Sequence, residues 1–168
     1  MCSLESLGSC MGIPMFAMGS QDGTLKVAVV APTSKTRDLT VATWQVSPGT
    51  PVRKICQRLH SSCLATMADS GIKVWAYSVS HEGLRPKLQA NLEVDLYASP
   101  RRSLVSNQSL QDVPVDMSWS YPGNKLVVAL SNVPWLVLLD PDRIGSQEST
   151  VAVKLDSEKH WNAPTVSK

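Results

Sequence analysis

CLATMADSGIKVWAYS, the stretch from Cys63 to Ser78, decides how the rest of the chain is read. Cys63 to Thr66 is small and apolar, and Asp69, Ser70 and Gly71 are turn formers. Ile72, Val74 and Ala76 then alternate with Lys73, Trp75 and Tyr77. A period of two sends successive side chains to opposite faces of a strand, and two such runs joined by turn residues make a β-hairpin.

The same pattern recurs on both sides. At Phe16 to Val30, FAMGSQDGTLKVAVV, the turn falls on Ser20, Asp22, Gly23 and Thr24, and Leu25, Lys26 and Val27 begin the returning strand. A third copy, Val115 to Asp140, adds the preceding strand. There Val115, Met117 and Trp119 are expected on one face, with Asp116, Ser118 and Ser120 on the other. Tyr121-Pro122-Gly123-Asn124 reads as a β-turn, Leu126 to Leu130 as the next strand and Trp135 to Leu139 as the last. Leu39 to Val46, Val52 to Leu59 and Asn91 to Tyr97 are further strand candidates, so four strands repeat in a cycle. Lys26 and Lys73 stand 47 residues apart, and Lys73 and Val137 stand 64 apart. Repeats of about 40 to 45 residues with four strands each build propeller blades, and the excess sits in loops such as Ala98 to Asp112.

A hairpin ending on Trp75 and a small residue resembles the WD-repeat (WD40) family, whose outer strand is expected to carry a Trp-Asp pair. Ala28 stands where the first Trp would be, and Leu139 and Asp140 occupy the third such position. The implied fold class is all-β, with WD40-type β-propeller blades. Residues 1–15 are expected to be a leader, residues 16–155 the blades and residues 156–168 a polar tail. On this reading there are about three blades, with Thr150 to Lys154 as one strand of a fourth. Propellers close with about four to eight blades, so a partial propeller, the fragment or shortened form of a longer one, is expected.

Of the 168 residues, 43% are hydrophobic and 18% charged, enough apolar matter for a packed core rather than a disordered chain. A net charge of +2 does not announce nucleic acid. The mild basic bias lies in residues 1 to 112, notably at Arg53, Lys54 and Arg58. These three are candidate RNA or partner contacts, against the plainer reading of a solvated blade face. Cys2, Cys10, Cys56 and Cys63 fit no zinc-ligand spacing, so reduced structural cysteines are expected. No apolar run approaches the ~18 residues of a membrane helix and no signal-type segment opens the chain, so a soluble, intracellular protein with no membrane association is expected.

A nucleophile with its base, paired carboxylates, a metal cluster or a phosphate loop would mark an enzyme. None stands out, so no catalytic residue, metal ligand or cofactor is assigned. His60, His81 and His160 are isolated, and Asp140 and Asp142 flank a proline in a turn. Met11, Met15 and Met18 follow neither a helical nor a strand period. Ser99 and Ser103, flanking Pro100-Arg101-Arg102, are candidate phosphorylation sites, because a phosphate beside two guanidiniums would order that loop.

The order of GSQDGTLKV, CLATMADSGIKVWAYSV and VDMSWSYPGNKLVVALSNVPWLVLLDPD is similar to the C-terminal half of the non-catalytic WD-repeat subunit of tRNA (guanine-N7) methyltransferase. The match covers roughly Phe16 to Lys154. It implies a scaffold that supports a catalytic methyltransferase partner and meets tRNA through the complex, and of a nuclear or a cytoplasmic location it favours the nuclear one. A generic protein-interaction scaffold of another complex and a direct RNA-binding propeller surface are the alternatives.

Overall fold

The computed structural model describes residues 3–10, 13–32, 37–69, 71–80, 86–94, 114–131, 135–142 and 150–154. Twelve strands fall into three four-stranded antiparallel meanders. The first sheet holds β1 (Ser3–Cys10), β2 (Ile13–Gly19), β3 (Thr24–Pro32) and β4 (Arg37–Gln45). The second holds β5 (Val52–Gln57), β6 (Cys63–Ala68), β7 (Gly71–Val79) and β8 (Pro86–Val94). The third holds β9 (Pro114–Trp119), β10 (Leu126–Leu130), β11 (Trp135–Leu139) and β12 (Thr150–Lys154). Each sheet is a blade of WD40 type. β5 touches β1 on one side and β9 on the other, so the first strands of the three blades lie next to one another.

Several expectations change. Within the stretch expected to be a leader, Ser3–Cys10 is β1 and β2 begins at Ile13. The first blade therefore has all four strands, and β1 reaches the second: the Ile55 amide donates to Ser3 Oγ at 3.1 Å and the Gln57 amide to Glu5 at 3.3 Å. Leu7 and Met15 are buried in the first core. Thr150–Lys154 opens no fourth blade; it pairs with β11 and completes the third. Trp75 stands on the third strand of its blade, with β8 outside it, so the Trp position belongs to the third strand and not the outermost one. The strand expected at Asn91 to Tyr97 is placed earlier, at Pro86–Val94. Residues 156–168, read as a polar tail, lie outside the described residues, as do Ser99 and Ser103.

Two cores fill the spaces between blades. The first joins Met15, Ala17, Leu25, Val27 and Val29 to Val52, Ile55, Leu64 and Tyr77. The second joins Ala65, Met67, Ile72 and Val74 to Met117, Leu126, Val128, Val137 and Leu139. Alternation built both, since Leu64 faces backward to the first blade while Ala65 and Met67 face forward to the third. Tyr77 keeps the face of Trp75, toward the first blade, and the slip in the pairing of β7 with β8 falls on β8, between Ala90 and Leu92. Alternation breaks at one register shift. At the start of β9 the pairing skips from Asp116 to Pro114, which leaves Pro114 buried and Val115 54% exposed, against the face expected for it. Leu126 and Val128 are fully buried as their pattern requires, whereas Trp75 and Trp119 are half-buried. Their ring nitrogens donate to Thr66 Oγ1 at 2.9 Å and to the Cys56 carbonyl at 3.3 Å.

The first hairpin turn docks on the connection to the second blade. Val46 and Ser47 donate their amides to the Gly23 carbonyl, both at 3.1 Å, and the Val52 amide donates to the Ser20 carbonyl at 3.0 Å. Gly23 has a φ of 84°, in the left-handed region where a Cβ is costly. Asp22 receives Ser20 Oγ, the Thr24 amide at 3.0 Å and Thr24 Oγ1 at 2.8 Å. These donors hold its carboxyl at about 2, the Ser20 hydroxyl contributing most and the Thr24 hydroxyl next.

Candidate functional site

β5 is the middle first strand, and its side chains sit where two blades meet. Arg53, Lys54 and Arg58 lie along it and just beyond its end, and each is met by an aspartate from a different turn or strand. Arg53 reaches Asp69 with Nε at 2.6 Å and Nη2 at 2.8 Å. Lys54 pairs with Asp116 of β9. Arg58 holds both carboxylate oxygens of Asp142, at 2.9 and 2.7 Å, and its guanidinium lies 5.5 Å from the centre of the Trp119 ring. A bidentate pair with a ring beneath it fixes the guanidinium plane. The Asp142 hydrogen bonds push the Arg58 value up, and Arg58 in turn holds the Asp142 carboxyl below its usual range. Lys54 does the same for Asp116.

Beside this cluster is a cleft of about 240 Å³, lined by Glu5, Cys56, Leu59, Trp119 and Tyr121 among others. Its rim is apolar and open to water: Tyr121 is 90% exposed and Leu59 51%. Cys56 is half-buried, and its thiol is pushed up to about 12, chiefly by burial and then by Glu5. Burial pushes the Cys63 thiol up as well. Both stay protonated near neutral pH, which makes them poor nucleophiles.

A second cleft, of about 470 Å³, opens between the first two blades, with Leu7, Met15 and Tyr77 on its walls. Gln57 spans it, donating to the Tyr77 hydroxyl at 2.6 Å and to the Leu7 carbonyl at 3.1 Å. His60 lines it as an exposed residue with a φ of 55°. Among the described residues, no group of three His, Cys, Asp or Glu side chains is placed to hold a metal ion. No helix among them is long and apolar enough to cross a membrane.

Sequence reasoning singled out the three cations and missed what they face. Asp116 and Asp142 lie 62 and 84 residues from their partners, and only the order of the blades brings them together. The Tyr121 rim was readable as a turn, but nothing local signals that its ring stands in solvent beside Trp119.

No family model and no curated protein matches the chain. Among solved structures the chain is similar to Sqt1 from Chaetomium thermophilum, a WD40 β-propeller protein, with a TM-score of 0.53 and 14% sequence identity. The likeness covers 83% of this chain and 33% of that one, so the chain spans about a third of its length. It is a likeness of fold, at the level of WD40-type blades, and says nothing of a tRNA methyltransferase.

Proposed function

We propose that the chain is a non-catalytic WD40-type scaffold that holds a protein partner. The observation that supports this reading best is the apolar rim of Leu59 and Tyr121 over the half-buried Trp119, held in place by the Arg58–Asp142 pair. Exposed aromatic and aliphatic side chains beside a fixed arginine are what a partner buries at the centre of an interface.

The finer proposal follows the sequence resemblance: the partner is the catalytic subunit of a tRNA guanine-N7 methyltransferase, in a nuclear complex where that subunit binds its own cofactor and transfers the methyl group. The test is co-purification of that subunit with this chain, followed by tRNA methylation with and without it. Capture and stimulation, both lost in Leu59→Asp/Tyr121→Ala, are expected. Failure to bind or stimulate rejects the methyltransferase assignment, and methyl transfer by this chain alone rejects the scaffold.

The second reading is direct RNA contact through Arg53, Lys54 and Arg58. Its support is that the Arg53 and Lys54 side chains are 52% and 38% exposed on one strand. Each is already opposite an aspartate, so phosphate would have to displace an internal partner. RNA binding whose affinity falls steeply with salt, and which Arg53→Ala/Lys54→Ala abolishes, is the result that favours this reading.

A further inference from the structure

The cleft of about 240 Å³ beside the Arg58 cluster has one charged group on its wall, Glu5 of β1. The Glu5 carboxylate receives the Gln57 amide at 3.3 Å and, among the described residues, pairs with no lysine or arginine. Lys54 and Arg58, the cations on either side of Cys56 in the chain, are held by Asp116 and Asp142. Their charges cancel in pairs, and that of Glu5 stands uncompensated. The side-chain nitrogens on the wall are already used. Trp119 Nε1 donates to the Cys56 carbonyl at 3.3 Å, and Gln57 Nε2 donates to the Leu7 carbonyl at 3.1 Å and the Tyr77 hydroxyl at 2.6 Å. An anion entering the cleft would meet a carboxylate and no unused side-chain N–H. The Cys56 thiol, protonated near neutral pH, adds no charge.

The rest of the wall suits the stem of a long cation. Leu59 is 51% and Tyr121 90% exposed, and Trp119 is half-buried between them and the Arg58 cluster. An aromatic ring attracts a cation within about 6 Å of its centre. Arg58 already uses the Trp119 ring in this way, at 5.5 Å, so an incoming cation falls to the Tyr121 ring. Pockets for small molecules enclose about 300–1,000 Å³, and a cleft below that range fits a single side chain. We propose that this cleft receives a lysine or arginine side chain of a partner protein, with the charged head on Glu5 and the methylene stem against Leu59, Trp119 and Tyr121. Such side chains are commonly buried in this manner, the stem on apolar surface and the head on a polar group. The occupant specifies what the partner of the scaffold reading presents, and so rests on that reading.

Nuclear magnetic resonance titration of the chain with the Nα-acetyl methylamides of lysine and arginine, followed at the Trp119 indole N–H, tests it. The norleucine analogue is the uncharged control. Saturating shifts with a basic derivative are expected, with an affinity about 5-fold above that of the norleucine analogue. Glu5→Gln keeps an oxygen for the Gln57 amide and removes only the charge, so it should abolish that preference with an unchanged circular dichroism spectrum. Tyr121→Ala, at a side chain standing in solvent, should weaken binding of the basic derivatives. Equal affinities for charged and uncharged derivatives, a preference that survives in Glu5→Gln, or no shift at all overturns the proposal. A stronger response to oligouridylate also overturns it, because it marks an anion site. If Glu5→Gln does not fold, the unaltered protein decides: a preference that shrinks with added sodium chloride supports the Glu5 contact, and one independent of salt overturns it. Capture of the partner by Glu5→Gln at full strength, with loss in Leu59→Asp/Tyr121→Ala, removes the cation and leaves the scaffold reading in place.

Discussion

Replacing Gly23 with alanine tests how the first blade is fastened to the second. An added Cβ would stand 1.7 Å from the Ser47 carbonyl oxygen and 2.6 Å from its carbon, so the backbone itself must move. An L-residue at the φ of 84° seen there gives up about 1–2 kcal/mol. Forcing the Ser47 segment away is an overpacking change of about 1–3 kcal/mol. Moving that segment also weakens the Val46 and Ser47 bonds to the Gly23 carbonyl, worth about 1 kcal/mol each. Gly23→Ala should therefore lose about 4 kcal/mol, near the upper range for a single substitution. Gly49 is the internal control: its φ is 75° but nothing lies within 4 Å of its Cβ position. Gly49→Ala should lose only the conformational part, about 1 kcal/mol. Urea unfolding of both variants, compared at equal m-value, measures the difference. Equal losses would refute the docking of this turn on Ser47.

Three further outcomes are expected. Asp22 ionises at about 2 in the folded chain against its ordinary 3.8, so its contribution is full above about pH 4 and lost as pH falls toward 2. The stability gap between the protein and Asp22→Asn should narrow across that window; a gap independent of pH contradicts the hydrogen bonds from Ser20 and Thr24. A double-mutant cycle on Arg58 and Asp142, whose side chains are 20% and 60% exposed, should give a coupling of about 1 kcal/mol that shrinks at high salt. A coupling of zero means the pair does not brace the joint between the second and third blades. Cys56, with its thiol near 12, should be alkylated at pH 8 far more slowly in the folded protein than in urea. Equal rates at that residue, read by peptide mass, contradict its burial.

The fold was legible where alternation is unbroken and turn formers flank it. Leu64 to Met67 with Ile72 to Val74, and Leu126 to Val128, carry their faces openly, and the strands form there. It was illegible where register, rather than composition, decides. Val115 changes face at a bulge that depends on the pairing of β9 with Leu130, which no local pattern encodes. β1, with Ser3, Ser6, Gly8 and Ser9, lacks an apolar period, because it is a first strand tied to β5 as much by polar contacts as by packing. Thr150–Lys154 reads as a strand in isolation, and only its pairing with Trp135 to Leu139 assigns it to the third blade. The candidate site was half legible: the cations are visible in the sequence, but their aspartates are distant, so charge counting overstates the positive surface of β5.

The account rests on three complete blades, and backbone nuclear Overhauser contacts between strands test that most directly. Contacts linking Leu4 to Met18, Ser6 to Phe16 and Leu138 to Val151 are expected from the pairing of β1 with β2 and of β11 with β12. If residues 3–10 show no cross-strand contacts, or residues 150–154 pair with any strand other than β11, the three-blade architecture is contradicted.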